Sequence, residues 1–314
     1  MKQLLLCLLM SAGFSLAASA QDADLEKKNV SDTILQNRTL TLPDPFDAQL
    51  ALQQLFPGKV YNMAKKKPVD FLINWECKTC KRQPYPDANE DANGDFPFSD
   101  GVATRLINVM DYTDSAGTKY KVISFNHSTY DPDGLQVSRF TGGLLGLAKF
   151  VLTGGSWKLR HFQPAIGAYG AFSQCPAPKP VLIGKDQYAY LIRHSNGPAG
   201  GPYYGEYYLI AGTGGAYKPV LFVGGAELSA LPLSEGFSFW TGDFRIPVSD
   251  KKYFRDVIVT LKGTYRSTDG ENLPEEVKPL VKGKKTCRFT VVRRYVYKGS
   301  KGYELQEPGK VEIQ

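Results

Sequence analysis

Long apolar runs are scarce in this chain. Beyond residue 20 no stretch reaches the roughly 18 apolar residues that a membrane-spanning helix needs, so no helical span is expected. Histidine is nearly absent, with only His127, His161 and His194. There is no G-x-S-x-G nucleophile elbow, no H-E-x-x-H zinc signature and no G-K-[S/T] phosphate loop, so the local signals of the common hydrolases and nucleotide binders are missing. No haem or nucleotide is therefore expected. Charged residues make up 22% and apolar residues 42%, which excludes a disordered chain and a coiled coil.

What is present begins with a leader. Residues 1–20 carry Lys2, an apolar run from Leu4 to Leu16 and the small-residue site Ala18-Ser19-Ala20. That pattern reads as a secretory signal peptide, and an exported product, periplasmic or extracellular, is expected. Nucleic acid is then not an expected partner. Outside the leader, Cys77, Cys80, Cys175 and Cys287 form an even set, which in an oxidising compartment favours disulfides. The expected pairing is Cys77–Cys80 with Cys175–Cys287.

Charge is uneven. Residues 251–314 hold fifteen Lys and Arg against eight Asp and Glu, which accounts for the whole net charge of +7. The plain reading is a solvated strand face and a Lys-rich loop; the sharper one is attraction to an anionic surface.

Residues 21–100 read as a polar lead. Its single helix is expected between Phe46 and Phe56, with Asp44 as N-cap and Pro57-Gly58 as the stop. From 101 to 314 the pattern is strand upon strand, about twelve in all. They fall at 102–109, 119–127, 143–152 and 156–162, then 180–184, 187–194, 205–211 and 217–223, then 237–246, 254–263, 286–297 and 302–306. In each set a Gly turn is followed by an aromatic, as in Gly154-Gly155-Ser156-Trp157 and Gly214-Gly215-Ala216-Tyr217. The fold class is all-β, mainly antiparallel, with a short N-terminal helix. A sandwich or barrel, or a small propeller-like array of four-stranded meanders, would accommodate it.

Three features carry chemistry. Cys77-Lys78-Thr79-Cys80 would suit redox work if a helix followed, but Pro84 and Pro86 argue against one, and Lys81 stands where c-type haem attachment needs His. The acidic loop 87–100 offers Asn89, Asp91, Asn93, Asp95 and Asp100 as oxygen ligands, a partial match to a calcium loop. The Gly- and Tyr-rich stretch from 196 to 208 offers Tyr203, Tyr204, Glu206 and Tyr207, rings and a carboxylate suited to stacking on a sugar. The expected role is non-catalytic binding of a glycan or another envelope component. The alternatives are a secreted polysaccharide hydrolase pairing Glu206 with Glu227 or Asp243, and an extracytoplasmic thiol-redox protein.

Overall fold

A computed structural model describes residues 25–62, 71–89, 94–129, 139–229, 237–269, 273–306 and 309–314. The leader, Asp91 and Asn93 lie outside the described residues. The protein is mostly β, with one α-helix among the described residues. The lead contributes β1 (Lys28–Asn29), β2 (Thr41–Pro43), helix α1 (Ala48–Leu55), β3 (Lys59–Asn62), β4 (Phe71–Glu76), β5 (Gln83–Tyr85) and β6 (Gly94–Phe96). The first long meander is β7 (Val102–Thr113), β8 (Lys119–Thr129), β9 (Gly143–Thr153) and β10 (Ser156–Tyr169). The second is β11 (Lys179–Gly184), β12 (Gln187–Asn196), β13 (Tyr203–Thr213) and β14 (Ala216–Ser229). The third is β15 (Phe239–Arg245), β16 (Val257–Arg266), β17 (Thr286–Tyr297) and β18 (Tyr303–Leu305), with β19 (Lys310–Ile313) closing the chain.

All three expected strand sets are present as antiparallel runs. The first sheet has the order β1-β4-β7-β8-β9-β10-β2, with β3 on β4, so strands on both sides of residue 100 share it. Strand β9 shows why its sequence is almost continuously apolar. Leu144, Ala148 and Phe150 face one core, while Leu145 and Leu147 face another. A strand covered on both faces loses the in-out alternation of a half-buried one.

Helix α1 closes the first of these cores. Its cap differs from the expected one: Asp47 Oδ1 accepts from the backbone N–H groups of Gln49 and Leu50 at 2.9 and 3.0 Å. Asp44 instead accepts from Trp157 Nε1 at 2.8 Å. A capping carboxylate must sit directly before the first turn, and only Asp47 does. Ala51, Leu52 and Leu55 are fully buried against Ile73, Trp75, Phe125 and Phe150. The same core encloses His127.

The second sheet runs β11 to β18 in sequence order, with β19 on β17. The second and third meanders are thus one sheet, joined among the described residues by the pair Leu228 and Trp240. The sheet curls like half a barrel. Gly302, at φ 76°, lies so near β14 that a Cβ would sit 2.4 Å from the Val220 carbonyl oxygen. Leu209, Leu221, Trp240, Val259, Leu261, Phe289 and Val291 fill the hollow. The segment between β16 and β17 lids it through Leu273, Val277 and Val281. Glu276 on that lid takes a two-pronged contact from Arg293 of β17, at 2.8 and 2.9 Å. The opposite face of β15, β16 and β17 carries the exposed Arg245, Lys262, Arg266, Arg288 and Arg294.

A third core joins the two sheets. Met110, Val122, Leu145, Leu147 and Ile166 from the first meet Tyr190, Ile192, Ile210 and Tyr217 from the second. Each such buried aliphatic side chain contributes about 1.5–3 kcal/mol relative to exposure.

The cysteine expectation is half met. Cys77 and Cys80 are bridged, with Cα atoms 5.4 Å apart. The bridge leads into β5, so no helix follows it. Cys175 and Cys287 are buried free thiols, which corrects the expected Cys175–Cys287 pair. Cys175 belongs to the core between the sheets and Cys287 to the hollow of the second. Packing in separate cores keeps the two sulfurs from meeting.

Candidate functional site

The strand period decides which of the expected site residues meet. On β12 and β13 the cross-strand pairs Ile192–Tyr208, His194–Glu206 and Asn196–Tyr204 share one face, turned toward the first sheet. The intervening pair Arg193–Tyr207 faces the other way. Tyr208 and Ile192 pack at the margin of the core between the sheets. Beyond that core the sheets part, and the polar members of the face line a cleft.

The cleft has two lobes that share Glu206. The first, about 440 Å³, is lined by Asn89, Phe140, His194, Asn196, Tyr204 and Glu206 among others. The second, about 360 Å³, is lined by Asp87, Tyr169, Glu206, Tyr208 and Phe222 with small residues and prolines. Both volumes are in the range of small-molecule sites. Two features read separately in the sequence, the start of the acidic loop and the Tyr- and Glu-bearing strand, therefore border one space.

Local hydrogen bonds hold the walls. Asp87 Oδ1 accepts from the Asn89 backbone N–H and from Asn89 Nδ2, both at 2.9 Å. Asp87 Oδ2 accepts from the Gly142 N–H at 2.9 Å, tying the acidic loop to the segment before β9. Asn89 Nδ2 also donates to the Gly170 carbonyl at 2.8 Å. Asn196 Nδ2 donates to Asn89 Oδ1, which joins loop to strand across the cleft. Glu206 Oε2 accepts from the Tyr208 hydroxyl at 2.9 Å.

His194 presents a fixed tautomer. The Gly170 N–H donates to its Nδ1 at 2.8 Å, so that nitrogen is bare and the ring proton is on Nε2. Burial holds its pKa below the ordinary histidine value, with Asp87 opposing that shift. The ring is thus a neutral donor at pH 7.

The remaining expected residues lie elsewhere. Tyr203 lies under the Arg139 guanidinium, 5.5 Å from the ring centre. Tyr207 turns away from the cleft; its hydroxyl, with one proton to share, lies 2.6 Å from Glu227 Oε1 and 2.7 Å from the Gly242 carbonyl oxygen. Glu227 thus serves the opposite face from Glu206, and Asp243 pairs with Arg245 at 3.0 Å. Asp95 lies on β6 opposite Pro84. The Asp100 carbonyl accepts from Lys27 Nζ at 2.7 Å. No cluster of three His, Cys, Asp or Glu residues with metal-binding geometry occurs among the described residues.

Sequence reading missed Phe140, Tyr169, Tyr208 and Phe222 as cleft residues. Tyr208 carries a usable signal, being two positions from Glu206 on a strand and so on its face. Phe140, Tyr169 and Phe222 come from other strands and turns and carry no local mark. Comparison with protein-family models, with curated proteins and with solved structures returned no match.

Proposed function

We propose that this is an exported binding protein whose ligand, a glycan or another component of the cell envelope, lies in the cleft between the two sheets. One observation supports the reading above others: the aromatic rings of Tyr204 and Phe140 line the same lobe as Asn89, His194, Asn196 and Glu206. Rings offer stacking faces for a sugar, and the amide, imidazole and carboxylate groups offer donors and acceptors for its hydroxyls. The leader at residues 1–20 supports export.

The test is retention on a glycan array with a parallel panel of chromogenic glycosides. Binding without turnover, weakened about tenfold or more in Tyr204→Ala, is the expected outcome. Turnover lost in Glu206→Gln would instead establish a hydrolase, with Asp87 in place of the expected Glu227 or Asp243 as the second carboxylate lining a lobe with Glu206.

Calcium in loop 87–100 is a separate proposal resting on the oxygen-rich sequence. Asn89 Oδ1, its first ligand in that reading, already accepts from Asn196. If calcium binds, chelator lowers the Tm and added calcium restores it; an unchanged Tm removes the metal.

A further inference from the structure

The protein carries a net charge of +7, yet neither lobe of the cleft is lined by Lys or Arg among the described residues. The second lobe instead holds two carboxylates, Asp87 and Glu206. Its other notable lining groups are rings. Tyr208 lies 5.0 Å from Tyr169 and 5.0 Å from Phe222, centre to centre, so the three form a continuous aromatic wall. Tyr169 is buried beneath, while Phe222 is 54% exposed at the rim. An exposed Phe beside carboxylates is poorly explained by packing: it neither closes a core nor avoids water.

A wall of ring faces with nearby negative charge attracts one ligand class in particular. The quadrupole of each ring draws a cation to its face, and the carboxylates add a field of the same sense. A neutral sugar gains nothing from that field, and an anion is repelled by it. His194, neutral with its proton on Nε2, adds a donor but no opposing charge.

We propose that the lobe formed by Tyr169, Tyr208, Phe222, Asp87 and Glu206 is a subsite for an organic cation, a quaternary or alkyl ammonium group. It rests on the reading of the cleft as a ligand site and specifies the charge of one part of that ligand. The ammonium group lies against Tyr208 and Phe222, with Glu206 held toward it by the Tyr208 hydroxyl. The rest of the ligand extends past Glu206 into the lobe of Tyr204 and Asn196. An envelope component that bears an ammonium group, whether on a glycan or a zwitterionic headgroup, carries the required chemistry.

The experiment titrates the full protein with choline, tetramethylammonium and 3,3-dimethyl-1-butanol by calorimetry. The last has the shape of choline without its charge. Choline and tetramethylammonium are expected to bind, and the neutral isostere at least roughly tenfold more weakly. Phe222→Ala and Glu206→Gln should each weaken choline by a comparable factor, and a matched melting curve for Phe222→Ala shows that the exposed ring is not needed for folding. Equal binding of choline and its isostere overturns the proposal, as does unchanged affinity in both variants. If the ammonium ions fail to bind while array glycans are retained through Tyr204, the cation subsite falls and the cleft reading stands. If neither class binds, both fall.

Discussion

Replacing Glu276 with Ala is expected to lower the unfolding free energy by about 3 kcal/mol, the lower end for breaking a buried ion pair. Glu276 and Arg293 have side chains only 15% and 11% exposed, so both charges are mostly out of water. The contact is bidentate, and Arg293 Nη1 also donates to the Gly224 carbonyl at 3.2 Å. Removing the carboxylate leaves a guanidinium inside the hollow of the second sheet with the Gly224 carbonyl and the Tyr295 side chain as partners, neither of which carries a compensating charge. The lid that carries Glu276 also covers the hollow through Val277 and Val281, so the loss extends beyond the ion pair. The double variant Glu276→Leu with Arg293→Met separates the effects. It removes both charges and keeps apolar volume, and it should recover most of the loss. Urea unfolding of the three proteins measures this. A loss under about 1 kcal/mol in Glu276→Ala would show that the pair does not anchor the lid.

The second large effect is on acid stability and comes from His127. Trp75 Nε1 donates to Thr104 Oγ1 at 2.7 Å, and the Thr104 hydroxyl is 2.7 Å from His127 Nδ1. His127 Nε2 donates to the Pro164 carbonyl at 3.1 Å. Each group in this chain has one proton to give and one place to put it. A second proton on the ring would meet the Thr104 hydroxyl and leave that hydroxyl's own hydrogen without an acceptor. Rings surround the site, with Phe96 and Phe56 centred 4.7 and 4.9 Å away. Burial accordingly pushes the His127 pKa down to about 3.

In the unfolded chain His127 takes up a proton near pH 6.5. Between that pH and about 3 the unfolded state therefore holds one more proton than the folded state. Stability is full above pH 6.5 and falls by about 1.4 kcal/mol per unit as the pH drops, roughly 5 kcal/mol across the window. His161 and His194 are also held below the ordinary value, so they add to the slope. Between pH 6 and 5 carboxylates contribute little, and histidines dominate. His127→Gln cannot titrate and should flatten the slope there by about 1.4 kcal/mol per unit. An unchanged slope in the variant would mean that the folded state accommodates the protonated ring.

Both effects depend on contacts that the sequence shows only in part. Strands such as 256–261 alternate apolar and polar residues, and 143–152 has Lys149 as its one charged residue in an otherwise apolar run, so both can be read locally. The lead is different. Strands β1, β2 and β3 are too short to carry a period, and they exist only because β4 and β10 offer them an edge. The helix cap was misplaced by one turn because Asp44 and Asp47 are chemically alike, and only the entry of the chain distinguishes them. At the cleft, Asn89 and Glu206 were each legible as polar groups in a suggestive setting. Their meeting was not, because it depends on how Leu145 and Leu147 of one sheet pack on Ile192 and Ile210 of the other. Tyr203 and Tyr207 show the complementary error. A run of tyrosines looks like one surface in sequence, but a strand divides it between two.

The bare side of β15, β16 and β17 has a practical consequence. It carries five exposed Lys and Arg residues, while the described residues that line the cleft are carboxylates and neutral groups. A carboxylated chip or cation-exchange resin would capture the molecule by its arginines and leave the cleft free. Immobilisation in that orientation needs no tag and releases with added salt, since a Debye length of about 8 Å at physiological ionic strength already weakens contacts of this kind. By the same logic, adhesion to an acidic matrix reports on this side of the protein and says nothing about what the cleft holds.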